Sequence, residues 1–270
     1  MEFPTSVGEI VSIGLLALFT DLAALQSHKP DRSWTDIIES MPAVLLPRFT
    51  AAVNGFPFPN SWEPGTPVIE VPTPFGTLKL GDASGGVCGG MVYAAADFYV
   101  FDRPVPQERS PGLFKYLCRR LLDSWSLPFG VVKYYNWQRR PGNTRTWLGT
   151  RLQSGVTRLT VEEEWPKIRA AIDAGVPAPL GLVKVHSWRF QDMAHNHQVL
   201  CHGYTDDGSN ATLHVYDPNW PSRAVTLQFD ISAPDEERMI EHSEEGASVR
   251  GAFLTDYARP QNFNWIEPSR

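Results

Sequence analysis

Cysteine is scarce: the 270 residues contain three, at positions 88, 118 and 201. They are widely spaced and cannot all pair, which excludes a disulfide framework and fits reduced thiols in a cytoplasmic protein. Positive charge is not in excess either. With 24 basic against 30 acidic residues the formal net charge is -6, which argues against a general nucleic-acid binder, and no phosphate-loop, dinucleotide-fold or zinc-finger spacing is present. A membrane-spanning run is also missing. The most apolar stretch, Ile10 to Leu25, is interrupted by Ser12 and Asp21 and falls short of the ~20 residues a bilayer requires. Met1-Glu2-Phe3-Pro4 supplies no basic start for an export signal. No internal repeat or low-complexity tract appears. What remains, with 42% hydrophobic residues, is one sizeable globular unit or two tightly packed lobes.

One segment stands out: Ser84-Gly85-Gly86-Val87-Cys88-Gly89-Gly90-Met91. After Cys88 the apolar residues Met91, Val92, Ala95, Phe98 and Tyr99 recur at helical spacing, which predicts a buried helix with Cys88 at or near its first position. The first N–H groups of a helix lack internal partners and carry partial positive charge, so a thiol held there is biased toward thiolate, the nucleophilic form. Gly85, Gly86, Gly89 and Gly90 would also let a substrate carbonyl come close to the main chain. Taken alone, the stretch reads equally as a structural cysteine on a glycine-rich turn.

A partner for the thiol lies more than a hundred residues on. Asn196-His197-Gln198-Val199-Leu200-Cys201-His202-Gly203-Tyr204 reads as a strand, Thr205 to Asn210 as a turn, and Ala211 to Asp217 as a second strand ended by Pro218. If Thr205 to Ser209 form the loop, Tyr204 pairs with Asn210 and His197 falls opposite Asp217, on the same face of the sheet. A slip of one residue would separate them, so a six-residue loop would need a bulge. Thiol catalysis needs a base beside the sulfur and a third group that orients the base. Cys88, His197 and Asp217 meet that need, with Asn219 or a nearby Glu as alternatives for the orienting role.

These motifs, Gly86-Val87-Cys88-Gly89-Gly90-Met91, His197 to Tyr204 and Tyr216-Asp217-Pro218-Asn219, are where the chain resembles the papain-like cysteine peptidase superfamily, more closely its bacterial C39-like branch than papain itself. The resemblance covers about Phe56 to Tyr257. It implies an α+β, papain-like fold with a nucleophile-bearing helix packed on an antiparallel sheet, and Cys88, His197 and Asp217 as catalytic residues. In that superfamily an oxyanion-stabilising Gln usually lies six residues before the cysteine, whereas here the position is Asp82. A carboxylate would repel a developing oxyanion. Either the Cys88 N–H and a neutral donor such as Ser84 take that role, or the chemistry differs from peptide hydrolysis. The Cys and His motifs are also similar to those of the amide-forming condensing enzymes of lincosamide antibiotic biosynthesis, which join an amino acid on a carrier protein to an amino sugar.

The rest of the chain frames these motifs. Residues 1–54 read as an N-terminal helical layer or lid, with Ser6 and Glu9 forming a capping box and a second short helix opening at Ser33-Trp34-Thr35-Asp36; residues 55–270 form the catalytic domain. From Gly55 to Pro74, prolines and aromatics predict an ordered, extended wrap. Phe114, Leu117, Cys118, Leu121, Leu122 and Trp125 keep an unbroken helical series, which makes Cys118 a core residue. Val161 to Ala174 predicts a further helix with Pro166 in its first turn, and Ala178 to Val185 a strand. A loop with His186, Trp188, Arg189, Asp192 and His195 follows and could overhang the thiol. His195 and His197, as alternate strand residues, would share a face, but no third metal ligand of matching spacing follows. His186, His202 and His214 read as structural or surface histidines, and Gly251 to Tyr257 as a last strand.

Charge is distributed unevenly. Lys115, Arg119, Arg120, Lys133, Arg139, Arg140, Arg145, Arg151 and Arg158 face a single acid, Asp123, between positions 115 and 158. Such a region can dock an acidic partner, or it is a solvated face whose charges pair with the acidic run from Asp230 to Glu245. Three function classes follow. The preferred one is amide synthesis: acyl transfer to a small-molecule amine from a thioester carried on the phosphopantetheine arm of an acidic carrier protein, with no resident cofactor and no metal, nucleic acid or membrane involved. The absence of an export signal or propeptide, the basic region, and aromatic loops able to exclude water all favour it. Peptide or amide hydrolysis is the second class, and a noncatalytic binding module on the same fold the third.

Overall fold

The computed structural model describes residues 43–73, 76–80, 83–126 and 129–263, and of 69–80, Ser84 and Arg151 the backbone only. Along the chain, strand β1 (Val44–Leu45) and the helical turn α1 (Ala51–Asn54) precede a hairpin of β2 (Ile69–Thr73) and β3 (Gly76–Leu80). Helices α2 (Cys88–Val100), α3 (Pro111–Ser124) and α4 (Phe129–Gln138) follow, then a second hairpin, β4 (Arg145–Trp147) with β5 (Thr150–Gln153). A helical segment starts as α5 (Val156–Arg158), widens into a π-helical turn (Leu159–Glu164) and continues as α6 (Trp165–Asp173). The remainder is sheet: β6 (Ala178–Val183), β7 (His197–Asp206), β8 (Asn210–Tyr216), β9 (Val225–Asp230), β10 (Ile240–His242), β11 (Gly246–Val249) and β12 (Gly251–Leu254).

The main sheet is antiparallel in the order β11-β10-β9-β8-β7-β6-β12, so the fold is α+β. β1 pairs with β7 beyond the end of β6, at Val44 with Tyr204 and Leu45 with Gly203. Its backbone passes so close that a Cβ at Gly203 would lie 2.8 Å from the Val44 carbonyl oxygen. β1 and α1, within the first 54 residues, thus belong to the same compact unit as the sheet. The capping box at Ser6 and Glu9 and the helix expected at Ser33 lie outside the described residues. No helix among the described residues is long and apolar enough to cross a membrane.

α2 is buried from Gly89 through Phe98, the environment required by a helix that is apolar on every side. It packs on β7 and against α3. α3 is the amphipathic partner: Ser110 caps its N-terminus by accepting from the Leu113 N–H at 3.1 Å, and Leu113, Leu117, Cys118 and Leu121 turn inward. One charge enters this layer. Asp97 of α2 is fully buried and accepts from the Tyr116 and Tyr257 hydroxyls at 2.6 and 2.7 Å, while the Arg120 guanidinium pairs with it at 2.7 Å. A buried carboxylate without such partners would be strongly destabilising. The wrap from Gly55 onward is ordered as expected, with Phe56 buried and the Trp62 ring 4.7 Å from Phe114.

The β7–β8 hairpin departs from the expected register. Thr205 and Asp206 belong to β7, paired with Thr212 and Ala211, and the turn is made around Asp207 and Gly208. Gly208 adopts φ +84° and the Asp207 carboxylate accepts the Ser209 N–H at 2.8 Å, so Asp-Gly turn chemistry outweighs the polarity of Thr205. With that tight turn alone, uniform pairing would put Asp217 on the face opposite His197. A bulge at His202 prevents this: pairing shifts by one residue between Cys201 and Gly203, and beyond it Leu200 faces Tyr216. Continued one step, the register sets Asp217 opposite Val199, on the same face as His197 and diagonal to it.

The opening residues of α2 carry a further constraint. A Cβ at Gly90 would lie 2.1 Å from the Leu117 carbonyl oxygen, which is backbone of α3 and cannot swing aside. Gly90→Ala is expected to lower unfolding free energy by about 1–3 kcal/mol, read from the midpoint of a urea titration. Gly85→Ala is the control. There a Cβ meets nothing within 4 Å, and the change should stay within about 0.5 kcal/mol.

Candidate active site

Cys88 is the first residue of α2, half-buried, and the chain enters the helix through Gly86 at φ +90°, a value that favours glycine. No side chain caps the helix start. The sulfur instead meets the N–H groups of Gly89 and Gln198 and the imidazole of His197. Burial alone would raise the thiol pKa, but the charge and hydrogen bond of His197, with the two N–H groups, hold it below its ordinary value of 9.0. Cys118 and Cys201 lack such neighbours, and burial pushes them up to about 11 and about 12.

His197 opens β7 and is buried. Its Nε2 lies 2.8 Å from Asp217 Oδ1, which leaves Nδ1 for the sulfur. Burial opposes a charged ring, yet the Asp217 carboxylate and the Cys88 sulfur together raise its pKa to about 10. Both shifts run in the direction that favours a thiolate beside an imidazolium. Asp217 follows the end of β8 and is fully buried. Burial would raise its pKa, but the His197 charge and its hydrogen bonds hold it well below the usual carboxylate range. Its donors are His197, His242 Nε2 at 3.0 Å on Oδ2, and the Asn219 N–H at 2.8 Å on Oδ1.

Cys88, His197 and Asp217, the three residues picked out from sequence, are thus brought together. Asn219 contributes its backbone N–H to Asp217, and its side chain accepts from Asn60 Nδ2 at 3.2 Å; the orienting contact to His197 belongs to Asp217. The backbone of Ser84 lies in a 3-10 turn, Ala83–Gly85, just before the helix. Asp82 lies outside the described residues. Gly89 and Gly90 are filled by protein. A Cβ on Gly89 would lie 2.3 Å from Ser124 Oγ and 2.9 Å from Gln198 Oε1, so these two glycines serve helix packing and not the close approach of substrate expected of them. His195 ends a turn (Phe190–His195) outside β7 and is exposed, so it does not share a strand face with His197. His202 stacks on Phe49 at 4.8 Å, as a structural histidine. Among the described residues no cluster of His, Cys, Asp and Glu could hold a metal ion.

Two supporting residues carry no signal in the sequence. Asn60, in the proline-rich wrap, accepts the Val87 N–H on Oδ1 at 2.6 Å, and its own N–H donates to the Pro218 carbonyl at 2.9 Å. It ties the start of α2 to the segment that carries Asp217. His242 sits at the end of β10, 2% exposed; its Nδ1 accepts the Glu244 N–H at 3.1 Å, so the proton is on the Nε2 that faces Asp217. In sequence it is one histidine within an acidic run.

The basic region is only partly available to a partner. Arg120 is locked on Asp97, Lys133 pairs with Glu164 at 3.1 Å, and Arg158 pairs with Glu162 at 2.7 Å and Asp235 at 2.5 Å. The last contact is with the acidic run, as expected of a solvated face. Lys115, Arg119 and Arg145 are exposed. A cavity of about 1200 Å³ lies beside the far end of α2 at Phe98, Tyr99 and Val100 and does not include Cys88; the chemistry of the thiol, not cavity size, marks the candidate site. Compared with protein-family models, curated proteins and solved structures, the chain finds no match in any of the three.

Alkylation by iodoacetamide tests this electrostatic arrangement. At pH 7 Cys88 should react faster than Cys118 or Cys201, because its pKa is lowered while theirs are raised. Its rate should fall only as pH drops through the lowered value, and His197→Ala should move that inflection upward toward 9.0. Peptide mapping by mass spectrometry gives the rates.

Proposed function

We propose that this protein is a cysteine-dependent acyl-transfer enzyme on a papain-like frame, which condenses an acyl thioester with an amine. The observation that carries the reading is the arrangement of His197 between the Cys88 sulfur and the buried, triply hydrogen-bonded carboxylate of Asp217. A structural cysteine has no use for an oriented, charged imidazole beside it. Cys88 and His197 then have distinct tasks. The thiolate attacks the carbonyl carbon of the donor, and His197 gives its proton to the departing thiolate. An amine next attacks the acylated sulfur's carbonyl, His197 takes the amine proton, and the Cys88 thiolate leaves. Asp217 holds the ring in place and stabilises its charge throughout without itself taking a proton. The Cys88 N–H, at a helix start with no side-chain cap, is the main-chain donor this mechanism assigns to the developing oxyanion.

The thioester donor is best supplied by a phosphopantetheine arm on an acidic carrier protein, for which Lys115, Arg119 and Arg145 are the exposed cations of the basic region. Hydrolysis uses the same first half-reaction, and the half-buried position of Cys88 favours it, since water reaches the sulfur as well as an amine does. The two differ only in the acceptor.

Incubation with a simple acyl thioester should add the acyl mass to Cys88 in intact-protein mass spectra. The adduct should be absent from Cys88→Ala and form about 10²–10⁴-fold more slowly in His197→Ala. Decay of the adduct in the presence of an amine should release amide for a synthase and free acid for a hydrolase, which should also cleave casein. No adduct with any thioester, together with a Cys88 alkylation rate equal to that of Cys118, would leave a binding module as the reading.

A further inference from the structure

A second feature lies at the end of the sheet that carries the triad. Leu182 of β6 is the register partner of His197, and the next residue, Val183, accepts the Arg250 N–H at 2.8 Å. Arg250 lines a cavity of about 440 Å³ together with Arg145, His186, Asn143 and Glu237. The Arg250 residue is only 8% exposed, an unusual place for a guanidinium. Its Nη2 donates to the Arg140 carbonyl at 3.2 Å and reaches Glu237 Oε1 at 3.4 Å, long for a charge-assisted bond. Its Nη1 is buried and has no hydrogen-bond partner among the described residues. A buried charged donor left unpaired costs considerably more than a neutral one, and natural structures leave few of them without a bound ion or water.

The other groups around the cavity extend the same chemistry. Arg145 is exposed and makes no ion pair among the described residues. His186 uses Nε2 toward the Arg139 carbonyl, at 3.3 Å. Asn143 spends its oxygen on the Glu237 N–H, which leaves its amide hydrogens as donors. Against these stands one carboxylate, Glu237, whose side chain is 43% exposed and, among the described residues, engaged only by the weak contact to Arg250. The donors outnumber the acceptors, and two of them are forked guanidinium groups suited to two-point recognition of an oxyanion.

We propose that this cavity is a binding site for a small oxyanion, a carboxylate or phosphate group, held by Arg250 from the buried side and by Arg145 from the exposed side. The group is either a free anion or the charged end of a larger ligand. This assignment rests on the cavity and its donors and not on the acyl-transfer reading of Cys88.

The test is isothermal titration of the full chain with inorganic phosphate and, separately, acetate, in a buffer free of other oxyanions. At least one probe should bind saturably in the millimolar range, and Arg145→Gln should weaken it about tenfold, the loss of one charge-assisted contact. Arg145 is exposed, so this variant should keep its fold, checked by circular dichroism. Arg250→Gln should abolish binding if it folds; the proposal does not depend on that variant. A preference for phosphate over acetate, or the reverse, tells which oxyanion the site takes. Absence of binding by both probes, or equal binding to wild type and Arg145→Gln, would overturn the assignment. Neither outcome bears on whether Cys88 is acylated.

Discussion

The site depends on one buried carboxylate. Asp217 has no contact with solvent, and it accepts from two imidazoles and a backbone N–H at 2.8, 3.0 and 2.8 Å. A carboxylate taken out of water is tolerable only when its lone pairs are occupied in this way. Because each donor comes from a different part of the chain, the carboxylate joins β7, the turn after β8 and the end of β10. Its charge in turn raises the pKa of His197 beside Cys88. The lowered pKa of the thiol is therefore supported by a chain of interactions that reaches back to β10.

The packing around α2 serves the same end. Gly89 and Gly90 let α3 and Gln198 approach the first turn of the helix more closely than any side chain would allow, and Asn60 fastens the residue before Cys88 to Pro218 and Asn219. The sulfur is thereby located by backbone contacts on both sides. Preorganisation of this kind, from residues whose own positions are determined by packing, lets a site act without rearranging its polar groups during reaction. Asp97, Tyr116, Arg120 and Tyr257 anchor the same helix further along, at a cost in buried charge that the hydrogen bonds offset.

Much of the architecture was legible in residue order. The apolar period after Cys88, the faultless series in α3 and the strands at Ala178 and His197 are local signals, and each corresponds to an element. The register of the β7–β8 hairpin was not legible. Asp207-Gly208 moved the turn later than the polarity of Thr205 implied, and the bulge at His202 then restored the shared face of His197 and Asp217. Two departures from the expected pairing compensate, and neither can be inferred from composition. The role of Gly89 and Gly90 was misread for a related reason: a glycine shows that space is needed but not what fills it.

Residue order was enough to place a thiol at the opening of a buried helix and a histidine and an aspartate on neighbouring strands. These follow from periodicity and turn chemistry, which act over a few residues. It took the folded chain to set Asp217 against His197, to bring His242 and Asn60 to their support, and to bury Arg250 beside a cavity with one donor unpaired among the described residues. Each of those contacts joins segments far apart in the chain, where the deciding quantities are desolvation and hydrogen-bond geometry, and these exist only once the chain has folded.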